Sequence, residues 1–170
     1  MKQNINVFWF KRDLRLIDND ALTEAIQSKD PLLLIYLFES GIINDKHTSK
    51  KHINFIKESI LDLNNSLKKF DTHIHIYECE LTNFFQKLLK TYNVKSVFST
   101  EETGLDYTFQ RDKNFKIFCK KNNIKWIEKP RTGVFRGRKN RDKWIENWKT
   151  QMMEPIKATN ASCESFINVS

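Results

Sequence analysis

The chain has 170 residues, and 29 Lys and Arg against 21 Asp and Glu give it a formal net charge of +8. Hydrophobic residues make up 39% of it, enough for a core, which excludes a fully disordered chain. The longest apolar run, residues 32–38, is far shorter than the ~20 residues of a membrane helix.

The first half of the chain alternates between strand and helix patterns. Residues 7–10 are a short β-type run, and Asp18, Asn19 and Asp20 are N-cap candidates for a helix over 21–28. Residues 32–38 are apolar on both faces, which is typical of a central strand in a parallel sheet. A long helix is then predicted from Ser49 to Phe70.

The same alternation continues to Pro130. Strands are predicted at 73–77, 94–98 and 124–127, and helices from Thr82 or Asn83 and over 107–122. Short strands separated by helices predict an α/β fold: a doubly wound, five-stranded parallel sheet with helices on both faces, which is Rossmann-like. Ligands of such sheets bind beyond the carboxyl ends of the strands. These ends are predicted at 11–15, 39–41, 78–80 and 99–103.

Few of the common catalytic and binding motifs are present. The first predicted strand runs into Lys11-Arg12-Asp13, so the glycine-rich turn that cradles a dinucleotide phosphate is missing. His73 and His75 share one face of a strand, but no third metal ligand lies nearby, so a packed or solvated pair is favoured. The three cysteines are scattered, which is typical of reduced thiols in a cytoplasmic protein, and no signal peptide is expected.

The positive charge is concentrated late in the chain. Residues 111–157 hold 15 basic and 5 acidic residues, net +10, whereas residues 1–110 are close to neutral. Arg136, Arg138 and Arg141 lie among aromatic residues, a pattern that suits contact with the DNA backbone, or equally a surface facing another domain. Trp144 and Trp148 are one helical turn apart, which favours packing onto the fold.

One segment carries a family resemblance. The string WFKRDLRLIDNDAL resembles the opening of the photolyase/cryptochrome family, through the residues Trp9, Arg12, Asp13, Leu14, Arg15, Asp18, Asn19, Ala21 and Leu22. Lys11 stands where the family usually has Arg. The resemblance covers about residues 5–156 and is weaker between its motifs.

The resemblance implies the N-terminal α/β domain of a blue-light flavoprotein. In the family this domain often holds an antenna chromophore: a folate, a deazaflavin or a flavin such as FMN. The resemblance and the position of the sheet edge together give seven candidates for the lining of such a pocket. They are Arg12, Asp13, Leu37, Glu39, Lys51, Glu101 and Thr108. It implies no metal and no catalytic residue in this chain.

The resemblance also implies that the FAD site lies in a domain other than this one. The family's FAD, and with it light-driven pyrimidine-dimer repair or photoreception, belongs to a helical domain, which lies in cis in the family, with a domain in trans as the alternative here. The chain is therefore expected to be a fragment or a short paralogue, and by itself to have no lyase activity. Residues 1–130 are assigned to the α/β domain, 131–157 to a basic linker or helix, and 158–170 to a disordered tail.

Two other functions fit the residues. A nucleotide-binding α/β module, similar to universal-stress or electron-transfer-flavoprotein domains, would use the same strand edge, although a glycine-rich phosphate loop is missing. A DNA-binding protein without catalysis would instead use the basic stretch, and it would lose affinity when Arg136, Arg138 and Arg141 are replaced by Ala.

Overall fold

A computed structural model describes residues 1–130, 140, 142–158 and 161–169. These residues form one sheet of five strands, all parallel, in the order β3-β2-β1-β4-β5. The strands are β1 (Asn4–Phe10), β2 (Leu32–Leu37), β3 (His75–Tyr77), β4 (Asn93–Thr100) and β5 (Lys125–Lys129). The predicted doubly wound α/β sheet is confirmed.

The helices alternate with the strands as the sequence pattern indicates. They are α1 (Asp20–Ile26), α2 (Ser40–Ile43), α3 (Lys50–Leu67), α4 (Leu81–Thr91), α5 (Asp106–Lys121) and α6 (Trp144–Met152). Short 3₁₀ turns follow at Lys68–Phe70 and Cys163–Ser165. The sequence reading missed α2, which has only four residues and no apolar periodicity of its own.

Alternate residues of the strands build two separate cores. All six residues of β2 are buried. Leu33 and Ile35 point with β1 residues toward α4 and α5, whereas Leu34 and Tyr36 pack with α1 and α3. Helices therefore cover both faces of the sheet, which explains why the β2 sequence shows no polar alternation.

Two helix starts are fixed by side-chain caps. The Asn19 side chain accepts a hydrogen bond of 3.1 Å from the Leu22 N–H at the start of α1. At the start of α3, Ser49 and His52 form a reciprocal capping box. Such caps satisfy backbone donors that have no partner inside the helix, and they set where each helix leaves its strand.

The C-terminal part departs from the sequence expectations. Trp144 and Trp148 on α6 are 41% and 42% exposed, so the expectation that they pack into the fold is wrong. Residues 158–170 are expected to be disordered, whereas Phe166 forms a β-bridge to Leu32 and the Ile167 N–H donates to the Leu32 carbonyl oxygen. Arg136, Arg138 and Arg141 lie outside the described residues. Among the residues that are described, no helix is long and apolar enough to cross a membrane.

The fully buried strand β2 should contribute strongly to stability. Leu33 is fully buried in β2, whereas Leu61 on α3 is 64% exposed. We expect Leu33→Ala to lower the free energy of unfolding by about 2–5 kcal/mol, because it leaves a cavity in the core. Leu61→Ala should change it by less than about 0.5 kcal/mol. Urea denaturation of the two variants measures both values, and equal losses would contradict the assignment of β2 to the core.

Candidate functional site

A cavity of about 440 Å³ opens at the carboxyl ends of the strands. It lies where the strand order reverses, since β1 has β2 on one side and β4 on the other. This is the place where doubly wound sheets bind ligands. The cavity is lined by Trp9, Phe10, Lys11, Arg12, Leu14, Tyr36, Leu37, Glu39, Ile42, His47, Thr48, His52, Phe55, Ile56, Ser59, Glu102, Leu105, Thr108 and Arg111.

Most of the cavity wall is apolar. Tyr36 and Leu37 come from the end of β2, Phe55 and Ile56 from α3, and Leu105 from the residue before α5. Burial raises the pKa of the Tyr36 hydroxyl to about 12, so it stays protonated at neutral pH. A volume of this size with apolar walls matches the pockets that take cofactor-sized molecules.

A buried ion pair joins the two sides of the cavity. Arg111 of α5 donates a hydrogen bond of 2.7 Å to Glu39, the residue that follows Phe38 after β2. Glu39 also accepts from the Leu81 N–H at 3.3 Å. Burial raises the pKa of Glu39, although the Arg111 guanidinium opposes the rise. Burial alone would lower the Arg111 pKa, but Glu39 and Asp112 offset that and raise it.

Lys11 extends this charge network across β1. Its ammonium lies 3.3 Å from both Asp112 and Glu128, and its side chain is only 2% exposed. It also lies 4.5 Å from the centre of the Trp9 ring and 5.2 Å from that of Trp126. Burial lowers the pKa of Lys11 even though both carboxylates act to raise it. Such a charge is tolerated in the interior because it is paired and stacked on aromatic rings.

A second polar group ties α2 to the start of α4 and to α5. Glu80 accepts hydrogen bonds from the Tyr107 hydroxyl at 2.6 Å and from the Ser40 hydroxyl at 2.5 Å. Burial alone would raise the pKa of Glu80, but these hydrogen bonds outweigh it and lower the pKa. Gly41 lies directly against the Tyr107 ring, where an added Cβ would be 2.1 Å from a ring carbon. Only glycine fits there, so α2 can close one side of the cavity.

Four of the seven predicted cofactor residues line the cavity. These are Arg12, Leu37, Glu39 and Thr108. Arg12 is oriented by Glu102, whose carboxylate lies 3.2 Å from the guanidinium Nε.

The other three predicted residues lie outside the cavity lining. Asp13 is buried and accepts a hydrogen bond of 2.7 Å from Thr100, so it ties the β1 exit to β4. Lys51 is exposed on α3, and its neighbour His52 faces the cavity instead. Glu101 is likewise replaced by its neighbour Glu102. In both cases the predicted residue lies one position before the residue that lines the cavity.

The sequence reading did not assign several lining residues to a ligand. Arg111 lies one helical turn after Thr108, so helical spacing places the two on one face of α5. Trp9 was read as part of the strand. His47 lies in the loop between α2 and α3, 2.9 Å from Asp45, and no sequence pattern pointed to it.

The cavity is equipped for binding a ligand. Among the described residues, no group of three or more His, Cys, Asp or Glu is placed to hold a metal ion. The charged groups at its base are already paired with one another, so a ligand need not supply their counter-charges. The arrangement can take a flat, largely apolar molecule and fix it through a few polar contacts at its edge.

Comparison with known proteins identifies the family. The model of the family described as DNA photolyase matches residues 6–143. The chain therefore belongs to the photolyase/cryptochrome family, and it corresponds to the N-terminal α/β domain of that family.

Each relative matches this chain over only a small part of its own length. The chain is 28% identical over 107 residues to cryptochrome DASH of Arabidopsis thaliana, covering 59% of this chain and 19% of that protein. It is 32% identical over 89 residues to cryptochrome-2 of Gallus gallus, covering 52% of this chain and 15% of that protein. The chain thus spans about a fifth or less of these relatives.

Solved structures show the same fold. An archaeal photolyase from Sulfolobus tokodaii superposes with a TM-score of 0.75 at 18% identity, over 93% of this chain and 37% of that one. A cryptochrome from Synechocystis superposes with a TM-score of 0.77 at 16% identity, over 98% of this chain and 37% of that one.

The Glu39–Arg111 pair should be a large, pH-dependent contributor to stability. We expect Arg111→Met to lower the free energy of unfolding at neutral pH by about 3–5 kcal/mol, because it leaves the Glu39 charge buried and unpaired. The control Lys113→Met removes an exposed charge from the same helix and should have little effect.

The pH dependence has a defined sign. Without Arg111, the pKa of Glu39 in the folded protein is raised further above its ordinary value of 4.5. The folded variant then takes up a proton more readily than the unfolded chain, so its deficit should shrink as the pH falls toward that ordinary value. Thermal or urea melts across this range measure it, and a deficit that grew on acidification would contradict the assignment.

Proposed function

We propose that this chain is the antenna-type α/β domain of a blue-light flavoprotein, and that the cavity between β1, β2, α3 and α5 binds a light-harvesting chromophore. The ligand class is a folate, a deazaflavin or a flavin such as FMN. The observation that carries the proposal is the cavity itself, with about 440 Å³ of largely apolar space at the switch point of the sheet.

The residues present fit such a chromophore. Phe55, Ile56 and Leu105 provide an apolar surface for a flat ring, and Arg12 and Glu39 supply polar contacts at its edges. When bound, the chromophore would absorb light for transfer to a second centre. The role of the chain's own residues is to bind and orient it and to exclude water from its ring.

The comparisons support this reading. The published description of the Sulfolobus tokodaii photolyase reports two FAD molecules in that protein and implies a novel light-harvesting cofactor there. We carry this idea over to the present chain as part of the proposal. The same proposal includes DNA repair, an FAD-binding helical partner domain, and residues 131–157 as a linker toward that domain. These remain part of the proposal because the chain spans only about a third of that structure.

A pair of tryptophan variants on α3 tests the site. Ser59 lines the cavity, while the adjacent Glu58 is exposed outside it. We expect the purified wild-type chain to bind at least one of FMN, folate and deazaflavin, seen as a change in ligand absorbance or fluorescence on titration. Ser59→Trp fills the cavity and should weaken binding by about tenfold or more, whereas Glu58→Trp should leave it unchanged.

Three outcomes would refute the proposed ligand class or its site. The wild-type chain binding none of the three chromophores would exclude antenna binding, although it would leave the family membership intact. Equal loss of affinity in both tryptophan variants would place the ligand elsewhere. Tight binding of ATP or AMP without any chromophore would favour a nucleotide-binding module instead.

A further inference from the structure

The edge of β2 is shared by two segments from distant parts of the chain. The short strand β3 pairs only with the carboxyl-terminal half of β2, from Ile35 to Leu37. The amino-terminal half would be an open edge with unpaired backbone groups, which proteins usually cover. Here Phe166 forms a parallel bridge with Leu32, and the Ile167 N–H donates to the Leu32 carbonyl oxygen at 3.1 Å.

Side chains of this segment alternate between the two faces of the sheet, as in a strand. Phe166 packs with the core beneath α1 and α3, and its ring centre lies 6.0 Å from that of Phe70. Ile167 and Val169 pack with the opposite core, beneath α4 and α5. This is how an added strand docks: the backbone bonds hold it to the edge, and alternate side chains fill both faces.

Polar contacts fix the register of the segment. The Asn168 side chain donates to the Asp71 carbonyl oxygen at 2.8 Å and accepts from the Thr72 hydroxyl at 3.1 Å. Asp71 and Thr72 lie in the turn just before β3. One side chain thus bonds to a backbone carbonyl and to a side-chain hydroxyl of this turn, so a shift by one residue would lose both contacts.

His75 closes the far end of the segment. The Val169 N–H donates to His75 Nε2 at 3.4 Å, and that nitrogen can accept only while it carries no proton. The titratable group that acts electrostatically on His75 is His73, and the two ring centres are 4.1 Å apart. From the docked segment, the Asn168 side chain also interacts with His75. Of the residues described, none contributes a carboxylate that would stabilise a protonated His75.

We propose that the Leu32 edge of β2 is a strand-acceptor site occupied by residues 166–169 of the same chain, and that protonation of His75 releases this segment. The occupant is an extended peptide with apolar side chains on both faces and an amide between them. Release would expose the backbone edge of β2 to another extended segment of the same pattern.

The direction of the pH dependence follows from the environment of His75. Burial, followed by the nearby His73, lowers the pKa of His75 below its ordinary value of 6.5, while Asn168 opposes the shift. A group with a lowered folded-state pKa resists protonation in the docked form. Docking is therefore complete above about pH 6.5 and weakens as the pH falls below it.

Amide exchange measured by NMR on the full chain tests the pH dependence. We expect the protection factors of the Ile167 and Val169 amides to fall by about 2- to 10-fold between neutral and mildly acidic pH. His75→Gln keeps a side-chain acceptor that does not titrate, so its protection factors should stay constant. His73→Gln is the matched control and should retain the fall, since His75 still titrates. A pH-independent wild type, or a fall that persists in His75→Gln, would overturn the proposal.

A second pair of variants tests the site itself. Ile167→Asp places a charge in the docked segment and should abolish protection across residues 166–169 while leaving β1 and β4 protected. Ile145→Asp, on the 59% exposed Ile145 of α6, should change neither. Protection in Ile167→Asp equal to that of the wild type would refute the acceptor site. Wild-type protection that rises with protein concentration would show that the segment comes from a second copy, which would refute the assignment to the same chain.

Discussion

The whole site depends on the parallel direction of the five strands. Parallel strands end on the same side of the sheet, so the residues that follow β1, β2 and β4 must meet there. Arg12 and Glu39 leave adjacent strands, and Glu102 leaves β4 on the other side of β1. The cavity is the space between these exits. Its position is thus a consequence of topology, and only its lining is a matter of local sequence.

The same topology brings charges into the interior, where they must be paired. Lys11 and Arg111 both contact the Trp9 ring, and both interact with Asp112. Removing one member leaves another charge buried without its partner, which costs far more than an exposed ion pair is worth. The network therefore holds α5 at a fixed distance from β1 and β2. A rigid base of this kind suits a cavity that orients a ligand.

The fold was readable from the sequence because its signals are periodic. β2 is apolar at every position and α3 repeats its apolar residues at helical spacing, so both elements were predicted close to their observed bounds. Helix α2 has only one turn and carries no such period. Trp144 and Trp148 are exposed although they lie one helical turn apart, because helical spacing identifies a shared face of a helix but not what covers that face.

The candidate site was only partly readable, for a related reason. Residues at strand ends were placed correctly because the strands themselves were, as Arg12 and Glu39 show. Glu101 was displaced by one position from Glu102, since the direction of a side chain in a loop depends on backbone angles that have no sequence period. The docking of Phe166 depends on a gap left by the three-residue strand β3, a tertiary feature invisible in either segment alone.

The central claim is that a chromophore binds at the carboxyl edge of the sheet. The most direct measurement is to map backbone amide shifts in a two-dimensional ¹⁵N–¹H NMR spectrum of the full chain during separate titrations with FMN, folate and a deazaflavin. For at least one of them, the largest shifts are expected around Tyr36, Glu39, Phe55 and Leu105, with little change near Leu22 and Phe70 on the far groove beside α1. Saturable shifts centred on that far groove, or none at all with any of the three chromophores, would contradict it.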